Sequence, residues 1–235
     1  MKLVKHIPNT ITCLNLFFGI LGIIFCFSLR FDLSFYCMLA AVTCDFCDGL
    51  AARTLGAYSD MGKELDSLSD LVSFGVLPAL TLNRLMLSFF NGGVLCYVPL
   101  LIAIFAALRL AKFNIDEEQH SSFRGLPTPA SALLCGALAY YTVVEPYGFL
   151  ADWARGLAFI PALRAILCGL MVSRVEMFSL KFKKGQGPGT AIFAKRVFLL
   201  AFAACALIAC LLLGMNWSLA VIATLTVYIL TAIIA

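Results

Sequence analysis

The sequence predicts an all-α polytopic membrane protein, a bundle of about eight transmembrane helices. Of its 235 residues, 62% are hydrophobic and 13% are charged, and the mean hydropathy is +0.98. Soluble domains carry about 25% charged residues, so this chain is far too apolar to be one. Apolar runs long enough to cross a bilayer as helices recur along its whole length.

Eight apolar runs are the predicted spans. The first follows a basic start, MKLVKH, but lacks a small-residue cleavage site, so we expect a retained helix rather than a signal peptide. The sixth run is the weakest, because Pro161 and Arg164 interrupt it. We expect Arg164 to pair with Glu145 or Asp152, or to mark a misplaced helix boundary. The runs are Ile11 to Leu29, Leu33 to Arg53, Leu65 to Phe90, Val94 to Phe113, Pro127 to Tyr147, Trp153 to Val172, Val197 to Leu213, and Trp217 to Ala235.

Lysine and arginine are distributed unevenly between the connections. With the N-terminus in the cytoplasm, thirteen of the 17 fall on or near the cytoplasmic side, and Arg30, Arg84 and Arg155 fall outside. This bias satisfies the positive-inside rule. The net charge of +4 then reflects topology and contact with anionic lipids, and nothing in it indicates nucleic acid. The last two spans carry no charged residue, and we expect no chemistry from them.

The ten cysteines are scattered, and nearly all lie within apolar runs. Cys44 and Cys47 form a C-x-x-C, a spacing found in redox and zinc sites. A second thiol pair and a histidine partner are missing, so we interpret them as packing residues.

Four aspartates interrupt two otherwise apolar segments. Asp45 and Asp48 are three residues apart, and Asp66 and Asp70 are four apart, so each pair lies on one helix face. The connection from Thr54 to Lys63 is predicted to be a turn at the cytoplasmic surface. Two antiparallel helices would therefore bring four carboxylates together near the inner membrane face.

A structural interpretation is that these acids pair with Arg53 and Lys63 and fix the turn. Four acids against two bases leave excess negative charge, and a charge at mid-membrane depth costs roughly 2.5–3.5 kcal/mol. One or two hard divalent cations, Mg²⁺, Mn²⁺ or Ca²⁺, would remove that problem. Such an ion favours chemistry on a phosphate or pyrophosphate. A cation or proton transporter that uses the same acids is the alternative from another class, and a non-catalytic lipid-binding scaffold is a third.

The stretch from Asp45 to Asp70 has the pattern D-x2-D-G-x2-A-R-x8-G-x3-D-x3-D. It resembles the signature of the CDP-alcohol phosphatidyltransferases, with no departure at its eight fixed positions. The resemblance implies displacement of CMP from a CDP-activated lipid or alcohol by an alcohol hydroxyl. It also implies a six-helix core followed by two further helices. We therefore expect a catalytic membrane domain over 1–181, a cytoplasmic basic loop over 182–196 and a helix pair over 197–235.

Four further stretches resemble the phosphatidylserine synthase branch of that family. They are IPNTITCLNLFFG from Ile7, RLAKFN from Arg109, FRGLPTPASA from Phe123 and LMVSRVEMFSLK from Leu170. This branch implies CDP-diacylglycerol as donor, L-serine as acceptor, a homodimer, and a site at the cytoplasmic face of the bacterial inner membrane. Glycerol 3-phosphate and inositol phosphate stay open as acceptors. Direct displacement is the expected route, with a covalent phosphatidyl-enzyme as the rival.

The resemblance also implies a role for each signature residue. Asp45, Asp48, Asp66 and Asp70 would bind the metal, and Asp70 would also be the base that deprotonates the acceptor hydroxyl. The remaining signature positions and two residues of the first helix would bind the CDP-lipid: Gly49, Ala52 and Gly62 along the cytidine, Arg53 at the nucleotide, and Asn9 and Thr12 near the diphosphate.

Serine recognition needs a cation for the carboxylate. Arg109, Lys112 and Arg124 fall on the cytoplasmic side of the predicted topology, and arginine offers bidentate geometry. Arg124 is favoured because Gly125 and Pro127 fix its turn, whereas Lys112 is equally interpretable as a positive-inside anchor. Asn114 is expected to help orient the ammonium or carboxylate.

Overall fold

The computed structural model describes residues 6–90, 92–115, 123–173, 175–177 and 191–233, and the side chains of 123, 124, 176 and 191 lie outside the described residues. A π-helical turn, Leu71–Val76, joins α3 to α4, and a 3₁₀ segment, Val94–Leu100, leads into α5. The helices are α1 His6–Phe27, α2 Phe31–Thr54, α3 Asp60–Asp70, α4 Leu77–Phe89, α5 Leu101–Ile115, α6 Thr128–Val144, α7 Phe149–Ala154, α8 Phe159–Val172, α9 Ala191–Leu212 and α10 Ser218–Ile233.

Five helical stretches are long and apolar enough to cross a membrane: His6–Phe27, Phe31–Thr54, Asp60–Phe89, Val94–Ile115 and Ile192–Leu212. Three shorter apolar helices, Thr128–Val144, Phe159–Val172 and Ser218–Ile233, complete a set of eight among the described residues. The prediction of an all-α multi-pass membrane protein is therefore confirmed. Among the described residues there is one strand pairing, which is antiparallel and two residues long: β1 Phe123–Arg124 pairs with β2 Glu176–Met177. Strand β1 lies just before α6.

The predicted turn from Thr54 to Lys63 is too long. Helix α2 ends at Thr54, but α3 already begins at Asp60, so Asp60 to Lys63 are helical. Ser59 explains this start, because its side chain accepts a hydrogen bond from the Gly62 backbone N–H at 3.0 Å. Asp60 in the first turn adds a favourable interaction with the helix dipole.

The predicted sixth span, Trp153 to Val172, is wrong as a single helix. It is divided into α7, which ends at Ala154, and α8, which begins at Phe159. Pro161 lies in the first turn of α8, where its missing N–H is tolerated. The interruption in the sequence therefore marks a helix boundary rather than a weak span.

The predicted partners of Arg164 are also wrong. Its Nη2 donates to the backbone oxygen of Pro78 at 2.8 Å, and Asp152 instead pairs with Arg155 at 2.8 Å.

Helix α9 begins at Ala191, before the predicted Val197, so the end of the predicted basic loop is helical. The stretch from Ala191 to Arg196 contains no glycine or proline that would break a helix, and within it Lys195 is half-buried and Arg196 is buried.

Helix α1 packs closely on α2 and on the turn between α3 and α4, and glycines permit this approach. A Cβ on Gly19 would lie 2.3 Å from Ser73 Oγ, and one on Gly22 would lie 2.8 Å from a Leu77 methyl carbon. Small residues at such positions allow membrane helices to approach each other closely. It brings the polar side chains of α1 against α3.

Candidate active site

Three carboxylates from two helices converge at one point. Asp45 and Asp48 lie in the second half of α2, Asp66 lies in α3, and one ligand oxygen from each is within 4.8 Å of the others. Hard divalent ions hold oxygens at about 2.0–2.6 Å, so oxygens on opposite sides of one ion are about 4–5 Å apart. The group therefore has the spacing and the donor chemistry for such an ion.

Two polar residues of α1 hold aspartates of this site. Thr12 Oγ1 donates to Asp48 Oδ2 at 2.7 Å, and Asn15 Nδ2 donates to Asp70 Oδ1 at 3.3 Å. All four side chains are buried. Thr12 and Asn15 lie about one helical turn apart, so α1 reaches α2 and α3 with the same face.

Two serines fix the backbone of α1 at these residues. Ser69 Oγ donates to the Thr12 carbonyl and Ser73 Oγ to the Asn15 carbonyl, each at 3.1 Å. Because the backbone is held, the side chains of Thr12 and Asn15 are aimed without relying on their own rotamers alone. Gly19 keeps the two segments close enough for these bonds.

Asp70 differs in position from the other three acids. It is the last residue of α3, one turn beyond Asp66, and is followed at once by the π-helical turn. Its relative exposure is 9%, and it is not part of the three-carboxylate group. Single π-helical turns occur frequently at functional sites. Its roles as base and as fourth ligand stay predictions.

Arg53 and Lys63 make hydrogen bonds that serve the helices. Arg53 Nε donates to the Gly49 carbonyl of its own helix at 3.1 Å. Lys63 Nζ donates to the Asn114 carbonyl at 3.0 Å, where a cation complements the C-terminal end of α5. These bonds hold both cations at backbone oxygens, which the interpretation of simple acid–base pairing did not foresee.

The glycines of the signature have different surroundings. A Cβ on Gly49 would meet one atom within 4 Å, Arg53 Nη2 at 3.8 Å, so there is open space beside Asp48. A Cβ on Gly62 would lie 2.9 Å from Asn9 Oδ1 and 3.0 Å from Ser59 Oγ. A side chain at Gly62 would displace the ends of the Asn9 and Ser59 side chains, whereas Gly49 leaves room for a ligand. Ala52 is half-buried on the same helix.

Of the four candidates for serine recognition, the structure brings Arg109 into the electrostatic neighbourhood of Asp70. Arg109 Nη1 donates to Thr128 Oγ1 at 3.2 Å, and its buried Nε has no hydrogen-bond partner among the described residues. Lys112 is exposed, and Asn114 Nδ2 donates to Ser67 Oγ at 2.9 Å. The side chain of Arg124 lies outside the described residues.

Sequence reasoning missed three residues that the structure places next to these groups: Asn15 beside Asp70, Thr128 beside Arg109, and Tyr228 of α10, which lies within electrostatic range of Arg109. Asn15 carried a usable signal, because an amide inside a membrane span is costly unless it has a partner, and it lies three residues after Thr12. Tyr228 carried none, because a single tyrosine near the end of an uncharged span is typical of an interfacial anchor.

Comparison with known proteins agrees with this geometry. Residues 5–166 match the model of the CDP-alcohol phosphatidyltransferase family. A protein of Bacillus subtilis named CDP-diacylglycerol–serine O-phosphatidyltransferase is 36% identical over 137 residues, which cover 58% of this chain and 76% of that protein. One of the same name from Methanocaldococcus jannaschii is 34% identical over 166 residues, covering 71% and 70%.

A protein of the same name from Helicobacter pylori is 36% identical over 129 residues, which cover 54% of each chain. The match therefore spans about half the length of this relative. The four aspartates lie within the family match, and α9 and α10 lie beyond it.

Proposed function

The chain belongs to the CDP-alcohol phosphatidyltransferase family, and we propose that it transfers the phosphatidyl group of CDP-diacylglycerol to the hydroxyl of L-serine, giving phosphatidylserine and CMP. The observation that carries the proposal is the convergence of Asp45, Asp48 and Asp66 beside the buried Asp70. The names of the relatives support L-serine as the acceptor.

Asp45, Asp48 and Asp66, with Asp70 as the fourth ligand, would hold one or two ions of Mg²⁺ or Mn²⁺, with Ca²⁺ as a further candidate. When bound, such an ion neutralises diphosphate oxygens and stabilises the departing CMP. The all-carboxylate donor set and its 4.8 Å spacing support this assignment. Thr12 would orient Asp48 through its 2.7 Å hydrogen bond, as the supporting residues of metal sites generally do.

Asp70 would be the general base. It would accept the proton of the serine hydroxyl while the serine oxygen forms a bond to the lipid-side phosphorus. The bond from that phosphorus to the oxygen leading to CMP breaks, and CMP leaves. Asn15, through its hydrogen bond to Asp70 Oδ1, would hold the carboxylate so that the other oxygen faces the acceptor.

The donor would lie with its acyl chains in lipid and its nucleotide along the end of α2. The open space at Gly49 supports a nucleotide beside Asp48, with Ala52 and Arg53 further along that helix. Asn9 and Gly62 would border it from α1 and α3.

Arg109 would bind the carboxylate of L-serine, since a guanidinium pairs with a carboxylate through two parallel hydrogen bonds. Its buried Nε and its proximity to Asp70 support this role. Lys112, Asn114 and Arg124 are further candidates at the same face. We also propose a homodimer, and a site at the cytoplasmic face of a bacterial inner membrane, which the distribution of lysine and arginine supports.

The test is CMP release from CDP-diacylglycerol by the purified full chain with Mg²⁺ or Mn²⁺ and a panel of alcohols. We expect L-serine to release CMP with an equal amount of phosphatidylserine. Release with glycerol 3-phosphate or an inositol phosphate alone would replace the acceptor but keep the chemistry. No release with any alcohol would contradict the proposal.

A second measurement separates the two routes of displacement. Direct displacement predicts that labelled CMP does not enter CDP-diacylglycerol when no acceptor is present. Exchange of the label under those conditions would instead indicate a covalent phosphatidyl-enzyme.

A further inference from the structure

Helix α10 connects the two ends of the bundle. Immediately before its start, Trp217 stacks on Phe35 with a centroid distance of 5.7 Å and packs against Tyr140 at 5.3 Å. Tyr228 lies eleven residues further along, which corresponds to about 16 Å of helix. Helix α10 runs beside α6, whose first residue, Thr128, bonds to Arg109. The helix therefore extends from the aromatic end towards the side of Arg109.

Tyr228 is a buried residue of this helix rather than a lipid-facing anchor. Its relative exposure is 6%, and it belongs to the same buried cluster as Leu126 and Met177. Met177 is the second residue of β2 and Leu126 lies two residues after β1, and α10 contacts β2 directly. Tyr228 is therefore packed inside the bundle, on the side where β2 and the start of α6 lie.

The Asp70 carboxylate and the Tyr228 hydroxyl both lie within electrostatic range of the Arg109 guanidinium. Arg109 Nη1 donates to Thr128 Oγ1 at 3.2 Å, and the buried Nε of Arg109 has no hydrogen-bond partner among the described residues. A buried guanidinium N–H without a partner is costly, so this group is suited to a ligand that accepts hydrogen bonds.

We propose that α10, which lies outside the matched family region, borders the acceptor site, and that Tyr228 positions the Arg109 guanidinium opposite Asp70 to receive the carboxylate of an amino-acid acceptor. The inference rests on the proposed function. Tyr228 acts through Arg109 and is a positioning residue. A phenol oxygen accepts a hydrogen bond without carrying a charge, so it orients the guanidinium and leaves its charge available for the ligand.

In this arrangement different residues bind the two substrates. The carboxylate of serine depends on Arg109, whereas the CDP-lipid depends on the aspartates and α1. Loss of the Tyr228 hydroxyl should therefore weaken the binding of serine and leave the binding of CDP-diacylglycerol unchanged. A merely structural role of Tyr228 would instead change both, or would lower the amount of folded protein.

The experiment compares the full chain with Tyr228→Phe in CMP release, varying L-serine at saturating CDP-diacylglycerol and then the reverse. We expect the KM for serine to rise about tenfold, the effect of one hydrogen bond to a charged group, while kcat and the KM for CDP-diacylglycerol stay within about twofold. Tyr140→Phe is the matched control: Tyr140 has the same 6% exposure, but its hydroxyl lies 3.1 Å from that of Tyr36, at the aromatic end. It should change neither KM.

A double-mutant cycle tests the route of action. Arg109→Lys should raise the KM for serine, and Tyr228→Phe should add little in that background, because the group it orients has been replaced. Full additivity would overturn the positioning role, as would an unchanged KM for serine or an equal change in both KM values. If the wild-type chain is active and the variants give any of these results, the inference alone fails. A wild-type chain that releases no CMP with any alcohol sinks the proposed function as well.

Discussion

The two ends of α2 place aspartates in opposite circumstances. At its start, Asp32 accepts two hydrogen bonds of 3.1 Å from Arg30, so its charge is paired. Towards its end, Asp45 and Asp48 converge with Asp66 from α3, so charges of the same sign are gathered together. The first arrangement lowers electrostatic repulsion and the second raises it. Such repulsion favours a role of these residues in binding or catalysis over a role in stability.

The neighbouring residues follow the same division. Beside Asp32, Tyr36 and Tyr140 share a hydrogen bond of 3.1 Å, and both rings pack against Trp217. Aromatic residues of this kind are typical of a membrane–water interface. At the other end, the hydrogen bonds of Thr12 and Asn15 are directed to carboxylates. Equivalent substitutions at the two ends should therefore have unequal effects.

The largest difference is expected between Asp70→Asn and Asp32→Asn. An amide cannot accept the proton of the acceptor hydroxyl, so Asp70→Asn should lower kcat by about 10²-fold or more. Asp32→Asn removes a pair at a partly exposed site and should leave kcat within about twofold. CMP release under saturating substrates measures both. An Asp70→Asn variant with full activity would contradict the assignment of the base.

Thr12→Val should have the next largest effect, with Thr10→Val as its control. The Thr12 hydroxyl bonds to Asp48, and a hydrogen bond to a charged group contributes about 1.5–3 kcal/mol, so activity should fall by roughly 10-fold to 100-fold. Thr10 bonds to the His6 carbonyl of its own exposed turn, and its loss should be nearly silent. Equal losses for the two variants would show that α1 is sensitive to valine in general.

Gly19→Ala should lower stability, whereas Gly169→Ala should not. A Cβ on Gly19 meets Ser73 Oγ, and relieving such an overlap typically costs about 1–3 kcal/mol. At Gly169, in α8, a Cβ meets no described atom within 4 Å, and alanine there is favoured by helix propensity. Thermal unfolding in detergent compares the two. The account of close packing by α1 fails if both variants unfold at the same temperature as the wild type.

The smallest effect concerns stability without metal. In a chelator, Asp45→Asn should keep or slightly raise the unfolding temperature, since it removes one of three clustered charges. Asp32→Asn should lower it slightly, because a partly exposed ion pair contributes about 0–1 kcal/mol. Added Mn²⁺ should then raise the unfolding temperature of the wild type more than that of Asp45→Asn. A clear fall in the unfolding temperature of Asp45→Asn in the chelator, or an effect of Mn²⁺ as large in that variant as in the wild type, would indicate that the acids stabilise the fold and do not bind metal.

The site was predictable where it depends on local spacing. Four aspartates at helical intervals on two adjacent spans were enough to predict a shared site, because helix periodicity alone decides which faces they occupy. The start of α3 was misplaced because a serine cap outweighed the turn residues that follow it. Pro161 indicated an interruption in the sixth predicted span. The sequence did not show that the interruption is a boundary between two helices, which the end of α7 at Ala154 and the start of α8 at Phe159 reveal.

Contacts between distant segments could not be predicted in the same way. Arg164 donates a hydrogen bond to the carbonyl of Pro78, 86 residues away in the sequence. Because every residue has a backbone oxygen, the sequence does not indicate which one is the acceptor. The approach of Tyr228 to Arg109 similarly depends on how α10 packs beside α6. Such contacts are decided by tertiary packing, which the pattern of one helix does not contain.

The most direct test of the central claim is recovery of CMP release after removal of divalent metal. The wild-type chain, assayed with CDP-diacylglycerol and L-serine in excess chelator, should release no CMP. Titration with Mn²⁺ or Mg²⁺ should restore release to saturation, and Asp66→Asn should require far more metal or fail to recover. Full activity of the wild type in the chelator would contradict the claim that the three converging carboxylates form a metal-dependent centre.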